Sequence, residues 1–369
     1  MRIMSKKNEL LPPGFADTLA PIAALESRIV TLLMKNMASF GYIQVKPPIV
    51  EFEDSLLDGA DSNINQQTFR VVDPESNETL AIRADMTTQI ARIASTRLKD
   101  DPRPLRISYA GQVLRVKGEG LYTERQLAQA GAELIGVDTP EADAEILIAA
   151  AQSLKRAGVD EISIDISLPT LPSLMGANEK LRAALANKEK ASIKSAAGKN
   201  FALYESLLSS FSPAALKNLK SVDLPEEVRE VAERLEKTTA IIKDSLPKVK
   251  ITMDLLEHRG FEYYTGFSFS IFSTMTDEEL GRGGRYTIGK GGETSAGFSL
   301  SVNAIMRALP KKRDKEKIYI PLDTPISKSK KAREQGLVAI HAVDDSDPIA
   351  EAKKLGCKYI LKDGKTKSI

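Results

Sequence analysis

The 369-residue sequence is poor in the side chains that build most metal and redox sites. It has one cysteine, Cys357, two histidines, His258 and His341, and no tryptophan. A single cysteine excludes an internal disulfide and any zinc or iron–sulfur site with several cysteine ligands, which fits a reducing compartment. Two histidines exclude a histidine-rich metal centre. We therefore expect neither a metal nor a cofactor.

The sequence also lacks an excess of one charge and a long apolar run. Lysine and arginine number 52 and aspartate and glutamate 50, so the net charge is only +2. Such a balance gives no overall positive field of the kind that nucleic-acid binders carry. No stretch approaches the roughly 18 apolar residues of a membrane span, and the N-terminus has no apolar segment of signal-peptide length. We expect a cytoplasmic protein with neither a membrane nor a nucleic acid as partner.

Apolar periodicity predicts two long helices around a set of strands. Apolar residues three and four positions apart predict the first helix from Ile22 to Phe40, ahead of an extended segment at Pro47-Pro48. Residues 105–116 and 125–136 alternate like strands, and the second long helix is expected at Glu141–Arg156. A long helix that leads into an extended segment is often a dimer interface, and an ordinary core helix is the alternative.

Shifts in composition divide the chain into four parts. The middle is rich in alanine, lysine, glutamate, leucine and serine with little strand signal, which predicts an inserted helical subdomain. A charged linker precedes a short alternating β/α unit at the C-terminal end. The predicted parts are the two halves of a core at 1–170 and 247–312, the helical insertion at 171–246, and the C-terminal unit at 313–369.

Two polar residues share one face of the strand at 125–136. The period of two places Gln129, Gly131 and Glu133 on the same face as Leu127 and Ile135. The glycine lies between two hydrogen-bonding side chains that are about 13 Å apart at the usual strand rise. A solvent-facing strand is the alternative, but the two apolar neighbours favour the floor of a cleft.

Charged residues also flank an aromatic run that should be buried. Arg259 and Glu262 stand at the start of a strand predicted from Glu262 to Ser273, and a buried charge is costly unless it is paired or holds a ligand. They predict either one wall of a small-molecule pocket or a structural ion pair. Asp85 and Thr87 stand where a strand is followed by a helix, and the alternative to a ligand-binding role is that they cap this helix.

A glycine-dense stretch runs from Gly281 to Gly292. It contains neither a GxGxxG that opens a helix nor a GK[ST] sequence, which excludes a dinucleotide-binding loop and a Walker loop. The glycines predict tight turns and close approach between backbone segments.

The order of these elements resembles the catalytic core of class II aminoacyl-tRNA synthetases, and the motifs resemble the histidyl branch. LPPGFADTLAP resembles its N-terminal segment, IRADMTTQIAR its turn into a helix, and VLRVKGEGLYTERQLAQAGAELIG its motif 2 and following strand. RGFEYYTG resembles the histidine-binding signature, and GGRY with GFSLSV the approach to motif 3. The resemblance covers about residues 10–310. It implies an α+β fold with an antiparallel sheet flanked by helices, a helical insertion and a short C-terminal β/α unit.

The resemblance further implies a pocket for histidine. Asp85 and Thr87 would hold its α-amino group, and Gln129 and Glu133 would form the floor. Arg115 would lie near the carboxylate or a phosphate. The opposite wall would consist of Arg259, Tyr264 and its neighbour Tyr263.

The chain departs from histidyl-tRNA synthetases where those enzymes bind ATP. The enzymes have a glutamate two residues after the motif 2 arginine, whereas Lys117 follows Arg115 here. Their motif 3 ends in a glutamate and an arginine that clamps ATP, whereas this chain has Asn303-Ala304, and Ser301 replaces the family's preceding glycine. Losing one such clamp costs on the order of several kcal/mol of transition-state stabilisation, so adenylation should fail.

A synthetase-like core with a histidine-sized pocket, no ATP clamp and about half of the usual anticodon-binding length resembles the regulatory subunits of ATP phosphoribosyltransferase. That resemblance implies a non-catalytic chain that forms a homodimer through the helix at 22–40. It also implies assembly with the short-form catalytic subunit for the first step of histidine biosynthesis, and allosteric inhibition by free histidine. The alternatives are a divergent histidyl-tRNA synthetase or other amino-acid-adenylating ligase, and a non-catalytic paralogue that senses histidine or uncharged tRNA.

Overall fold

The computed structural model divides the chain into two compact units, Met1–Leu309 and Pro310–Ile369. It describes the residues 10–58, 62–118, 122–208, 214–220, 225–257, 263–288, 292–310, 315–362 and 364–369.

The first unit is organised around an eight-stranded sheet. Its strand order is β1-β5-β6-β11-β10-β9-β7-β8, and a separate three-stranded sheet has the order β2-β4-β3. The β1–β5 and β7–β8 pairs at the two edges are parallel, and the pairs between them are antiparallel, as predicted. The strands are β1 (Ile43–Gln44), β2 (Val50–Phe52), β3 (Phe69–Val72), β4 (Thr79–Ile82), β5 (Leu105–Leu114), β6 (Gln126–Ile135), β7 (Ile162–Ser167), β8 (Lys250–Met253), β9 (Ser268–Ser273), β10 (Glu279–Ile288) and β11 (Glu293–Ser301).

Helices cover the sheet and fill the middle of the chain. The described parts of 171–246 contain six α-helices and a short 3-10 helix, Gly198–Asn200, in keeping with the helix-forming composition of this stretch. The helices of the first unit are α1 (Ile22–Ser39), α2 (Glu53–Leu57), α3 (Ser62–Gln67), α4 (Thr87–Thr96), α5 (Pro140–Ala157), α6 (Leu171–Leu174), α7 (Glu179–Ala186), α8 (Lys190–Ala197), α9 (Phe201–Leu208), α10 (Ala214–Lys220), α11 (Glu226–Ser245) and α12 (Val302–Ala308).

The second long helix, α5, has strong signals at both ends. The Thr139 hydroxyl accepts a hydrogen bond from the Ala142 backbone N–H at 3.2 Å, and Pro140 occupies the first turn. Gly158 ends the helix at a φ of +107°, a left-handed conformation that favours glycine. These local signals explain why the sequence predicted α5 to within a residue at each end.

The two faces of the large sheet pack against different elements. Alternate residues of β6 point to opposite faces. Ala130, Ala132 and Leu134 join the main core beneath α1, α5 and α12. On the other face Ile135 joins a smaller cluster that includes Ile90 of α4. We call the α4 side the front face and the α5 side the rear face.

The strand predicted from Glu262 to Ser273 begins later, at Ser268. Glu262 lies outside the described residues. Residues 263–267 form a turn and a bend, in which Thr265 N–H donates to the Arg285 carbonyl at 2.8 Å and Arg285 N–H donates to the Phe267 carbonyl at 2.9 Å. The aromatic alternation predicted a strand here, but the chain first passes through a bend that includes Gly266.

The glycines from Gly281 to Gly284 do not form turns, so this part of the prediction was wrong. They lie within β10, where close packing requires them. A Cβ atom on Gly283 would overlap the Gly297 carbonyl oxygen and stand 2.6 Å from the Phe269 ring. The predicted close approach between backbone segments is therefore present, inside the sheet rather than at its edge.

The second unit is a small four-stranded sheet with one helix packed on each face. Its strand order is β13-β12-β14-β15, with β12 parallel to both neighbours and β15 antiparallel to β14. The final strand was not predicted. The elements are β12 (Lys317–Ile320), α13 (Lys330–Glu334), β13 (Val338–His341), α14 (Pro348–Lys354), β14 (Tyr359–Lys362) and β15 (Lys365–Ser368). Across the described parts of both units, no helix has the length and apolarity needed to cross a membrane.

Candidate ligand-binding site

The floor of the candidate site is the front face of β6. Gln129 and Glu133 are 6% and 1% exposed, so the solvent-facing alternative is wrong. Between them, a Cβ atom on Gly131 would overlap the hydroxyl of Tyr109. The glycine therefore makes room for an aromatic ring between two polar side chains.

Gln129 connects three segments that are distant in sequence. Its Oε1 accepts from the Met86 backbone N–H at 3.1 Å, and its Nε2 donates to Asp85 Oδ2 and to Ser299 Oγ, both at 2.5 Å. The other Asp85 oxygen accepts from the Thr87 backbone N–H at 2.7 Å. Asp85 therefore accepts from the first N–H of α4, although the N-cap residue of this helix is Met86, and its other oxygen faces the floor of the site.

Glu133 is a buried carboxyl group held by two tyrosines. Tyr286 donates to Glu133 Oε2 at 2.8 Å, and Tyr109 donates to Oε1 at 3.4 Å. Burial above all, and also the charge of Asp85, raises the pKa of Glu133 to about 8, against the two tyrosine hydrogen bonds that lower it. A buried carboxyl group whose pKa is raised toward neutral by burial and a nearby carboxylate is typical of a functional site.

Tyrosines form one side of the candidate site. The Tyr263 ring lies 4.7 Å from the Tyr286 ring and 5.0 Å from the Tyr264 ring, and all three pack with the front-face cluster. Because Tyr286 contacts both the Tyr263 ring and Glu133, Tyr263 and its neighbour Tyr264 lie close to Glu133. This contact joins the RGFEYYTG stretch to the floor of the site.

The structure describes one of the two predicted arginines. Arg115 extends its Nε to 3.5 Å from the Ala84 carbonyl oxygen, which places it beside Asp85. Arg259 lies outside the described residues. The structure thus brings together Asp85, Thr87, Arg115, Gln129, Glu133, Tyr263 and Tyr264.

The start of α12 carries no cation where the resemblance implies an ATP-clamping arginine. Ala304 is 2% exposed and packs in the main core, and its N–H donates to Ser301 Oγ at 3.3 Å. The Asn303 side chain accepts from the Ala128 backbone N–H at 3.0 Å. Arg307, farther along α12, binds Glu278 at 2.5 Å.

Sequence reasoning missed the hydroxyl groups that complete the site. Tyr109 and Ser299 lie on β5 and β11, the strands on either side of β6. Both stand opposite Gly131 in the sheet and therefore share its front face, so period-two alternation along β5 and β11 could have found them.

Comparisons with known proteins agree with this architecture. Residues 14–305 match the family model described as histidyl-tRNA synthetase. An ATP phosphoribosyltransferase regulatory subunit of Paramagnetospirillum magneticum is 44% identical to the chain over 368 residues, and the match covers 97% of each protein.

Two solved structures share the fold. An ATP phosphoribosyltransferase regulatory subunit/histidyl-tRNA synthetase from Bacillus halodurans superimposes with a TM-score of 0.80 at 24% identity, covering 95% of this chain and 97% of that one. A chain of the ATP phosphoribosyl transferase complex from Thermotoga maritima superimposes with a TM-score of 0.59 at 20% identity, covering 75% and 97%.

Proposed function

Because the chain belongs to the histidyl-tRNA synthetase family and, within it, to the ATP phosphoribosyltransferase regulatory subunits, we propose that it activates a separate catalytic subunit and senses histidine. It is a regulatory subunit in histidine biosynthesis, and catalysis resides in the partner chain. We further propose that the chain assembles in the cytoplasm with the short-form catalytic subunit, forms a homodimer and has a histidine pocket.

One contrast within the first unit carries the proposal. The floor residues Gln129 and Glu133 are buried and hydrogen-bonded, while the position of the ATP clamp holds the methyl group of Ala304. A methyl group cannot neutralise a polyphosphate. A polar recess without the adjoining activating group suits binding rather than amino-acid adenylation.

Reconstitution tests the activating role. The chain mixed with a short-form catalytic subunit should produce transferase activity that neither chain shows alone. A catalytic subunit that is fully active by itself would contradict the proposal. Histidine-dependent exchange between ATP and pyrophosphate by this chain alone would instead support the ligase alternative.

The histidine pocket makes a separate prediction. Asp85→Asn removes the negative charge assigned to the ligand's ammonium group, so histidine affinity should fall by about 1.5–3 kcal/mol, roughly 10- to 150-fold. Titration calorimetry measures this, with Asp100→Asn, an exposed site, as the matched control. Unchanged affinity of the Asp85 variant would refute the assignment. The resemblance predicts a loss of similar size for Arg259→Ala.

Exposed apolar side chains support the homodimer. Phe52 and Val71 stand opposite Leu80 in the three-stranded sheet, so the three form one row across its face. Phe52 is 50% and Val71 48% exposed. Ile43 is 54% exposed on β1, the edge strand of the large sheet. Since α1 buries Ile29, Leu33 and Met37 in the core, we assign the dimer surface to this row, to β1 and to the exposed start of α1.

A further inference from the structure

The helical insertion at 171–246 contacts the segment that carries two tyrosines of the candidate site. This segment connects β8 to β9, and the structure describes it at 254–257 and at 263–267. Residues 258–262, which include Arg259, lie outside the described residues. We call 254–257 the first arm and 263–267, with Tyr263 and Tyr264, the second arm. The insertion is connected to both arms.

Lys188 connects the insertion to the first arm. It lies in the turn between α7 and α8. Its Nζ is 2.9 Å from Asp254 Oδ2 and 3.6 Å from Glu257 Oε2. The Asp254 side chain is only 8% exposed, so Lys188 neutralises a carboxylate that water reaches poorly. Leu255 and Leu256, between the two acids, are buried in the main core and fix the backbone of this arm.

The backbone of Lys188 has a conformation that is unfavourable for lysine. Its φ of +53° lies in the left-handed region, which glycine and asparagine adopt more readily. Its N–H donates to the Leu185 carbonyl at 3.0 Å and so helps to end α7. A glycine would end this helix with less strain but would bring no charge to the first arm. The contact with Asp254 and Glu257 therefore gives a physical reason for a lysine at this position.

A third acid, Asp165 of β7, belongs to the same group of charges. Burial above all raises its pKa, and the charges of Asp254 and Glu257 also raise it, while a hydrogen bond from Thr252 and the charge of Lys188 lower it. Like charges at short range repel one another. Removing the ammonium group would therefore leave mutually repelling carboxylates at the first arm.

A chain of three charged side chains connects the insertion to the second arm. Thr265 N–H donates to the Arg285 carbonyl, and Arg285 N–H donates to the Phe267 carbonyl. The Arg285 side chain binds Asp143 of α5 at 2.5 Å, and Asp143 binds Arg234 of α11 at 2.7 Å. A cavity of about 310 Å³ is lined by α11 on one side and by 265–267 on another. At this cavity, charged contacts rather than close packing join α11 to the second arm.

We propose, on the basis of the histidine pocket assigned above, that Lys188 is a positioning residue through which the helical insertion holds the tyrosine side of that pocket. Lys188 holds the first arm directly, and β10 joins the second arm to α11. The insertion thus fixes both ends of the segment that carries Tyr263 and Tyr264. Coupling between two sites is reciprocal. Histidine that orders the tyrosines therefore also restrains the turn at Lys188, on the surface of the insertion.

Titration calorimetry of the full chain with histidine tests the positioning role. Lys188→Asn removes the charge but suits the left-handed backbone, so the melting temperature should change little while histidine affinity falls about fivefold or more. Lys188→Arg keeps the charge and should bind nearly as well as the wild type. Lys190→Asn is the matched control, because Lys190 is 74% exposed and pairs with Glu205 inside the insertion. Equal affinity of Lys188→Asn and wild type, or an equal loss in Lys188→Arg, overturns the proposal.

Hydrogen exchange supplies a readout that a purely structural contact would not change. When histidine binds the wild type, amide exchange should slow in 179–190 of the insertion as well as in the two arms. In Lys188→Asn saturated with histidine, the second arm should still respond, whereas 179–190 should not. An insertion that does not respond to histidine in the wild type refutes the coupling.

The histidine pocket and the positioning role can fail separately. A wild type that binds no histidine would show that the pocket is wrong, and exchange in the free protein still decides the role of Lys188. The amides of 254–257 and 263–267 should exchange faster in Lys188→Asn than in the wild type and in Lys190→Asn. Equal exchange in all three proteins overturns the positioning role.

Discussion

At the scale of single residues, Glu133 lowers the stability of the fold while it shapes the site. Its pKa is about 8 in the folded protein and about 4.3 in an unfolded chain. Between these values the folded state holds a proton that the unfolded state has released. The free energy of unfolding therefore falls as the pH rises from about 4 to about 8, and the full loss is present above pH 8.

Glu133→Gln should remove this loss, because glutamine keeps the polar atoms but cannot ionise. We expect the variant to be more stable than the wild type at pH 9, by roughly a few kcal/mol, and equally stable near pH 4. Thermal unfolding followed by circular dichroism across this pH range measures the difference. Glu75→Gln, in an exposed turn, is the control. Identical melting temperatures of Glu133→Gln and wild type at pH 9 would show that Glu133 carries no such cost.

The site could be predicted where its residues share one local pattern. Gln129 and Glu133 lie on one strand, so alternation alone placed them together and beside apolar neighbours. Asp143 and Arg285 form a buried pair although 142 residues separate them. No local period relates such positions, and from the sequence Asp143 is simply an acid in the first turn of α5.

At the scale of elements, the row formed by Phe52, Leu80 and Val71 makes a prediction about assembly. If this row is buried between two copies, Phe52→Ser together with Val71→Ser should shift the protein from dimer to monomer. Sedimentation velocity over a range of concentrations measures the shift. Val343→Ser, at a 90% exposed site in the second unit, should leave the dimer intact. A wild type that is monomeric at high concentration would contradict the homodimer.

Elements were predicted well where the sequence carries capping or periodic signals. They were predicted poorly where contacts with neighbouring strands determine the backbone conformation. The helix α5 has a threonine cap, a first-turn proline and a terminal glycine, so its bounds followed from the sequence. The glycines of β10 carry no such signal. Their conformation depends on the Gly297 backbone and the Phe269 ring, and both belong to neighbouring strands.

At the scale of the whole molecule, the two units have separate hydrophobic clusters, which makes a prediction about unfolding. Ile318 is fully buried in the second unit and Ile146 in the first. Replacing a buried isoleucine by alanine costs about 2–5 kcal/mol. In a unit of 60 residues that loss should lower the melting temperature by roughly 10 °C or more.

Calorimetry of the full chain should therefore show two transitions. Ile318→Ala should move one of them and Ile146→Ala the other. A single transition that both substitutions shift together would show that the units unfold as one cooperative block.

The strand β10 places Arg285 and Tyr286 side by side, with Tyr286 facing Glu133 and Arg285 facing Asp143. Sliding this strand by one residue would exchange the two side chains between the faces. Either residue can therefore change only within the limits set by the contact on its own side of the sheet. A substitution that shifted the strand to suit Arg285 and Asp143 would also displace Tyr286 from Glu133.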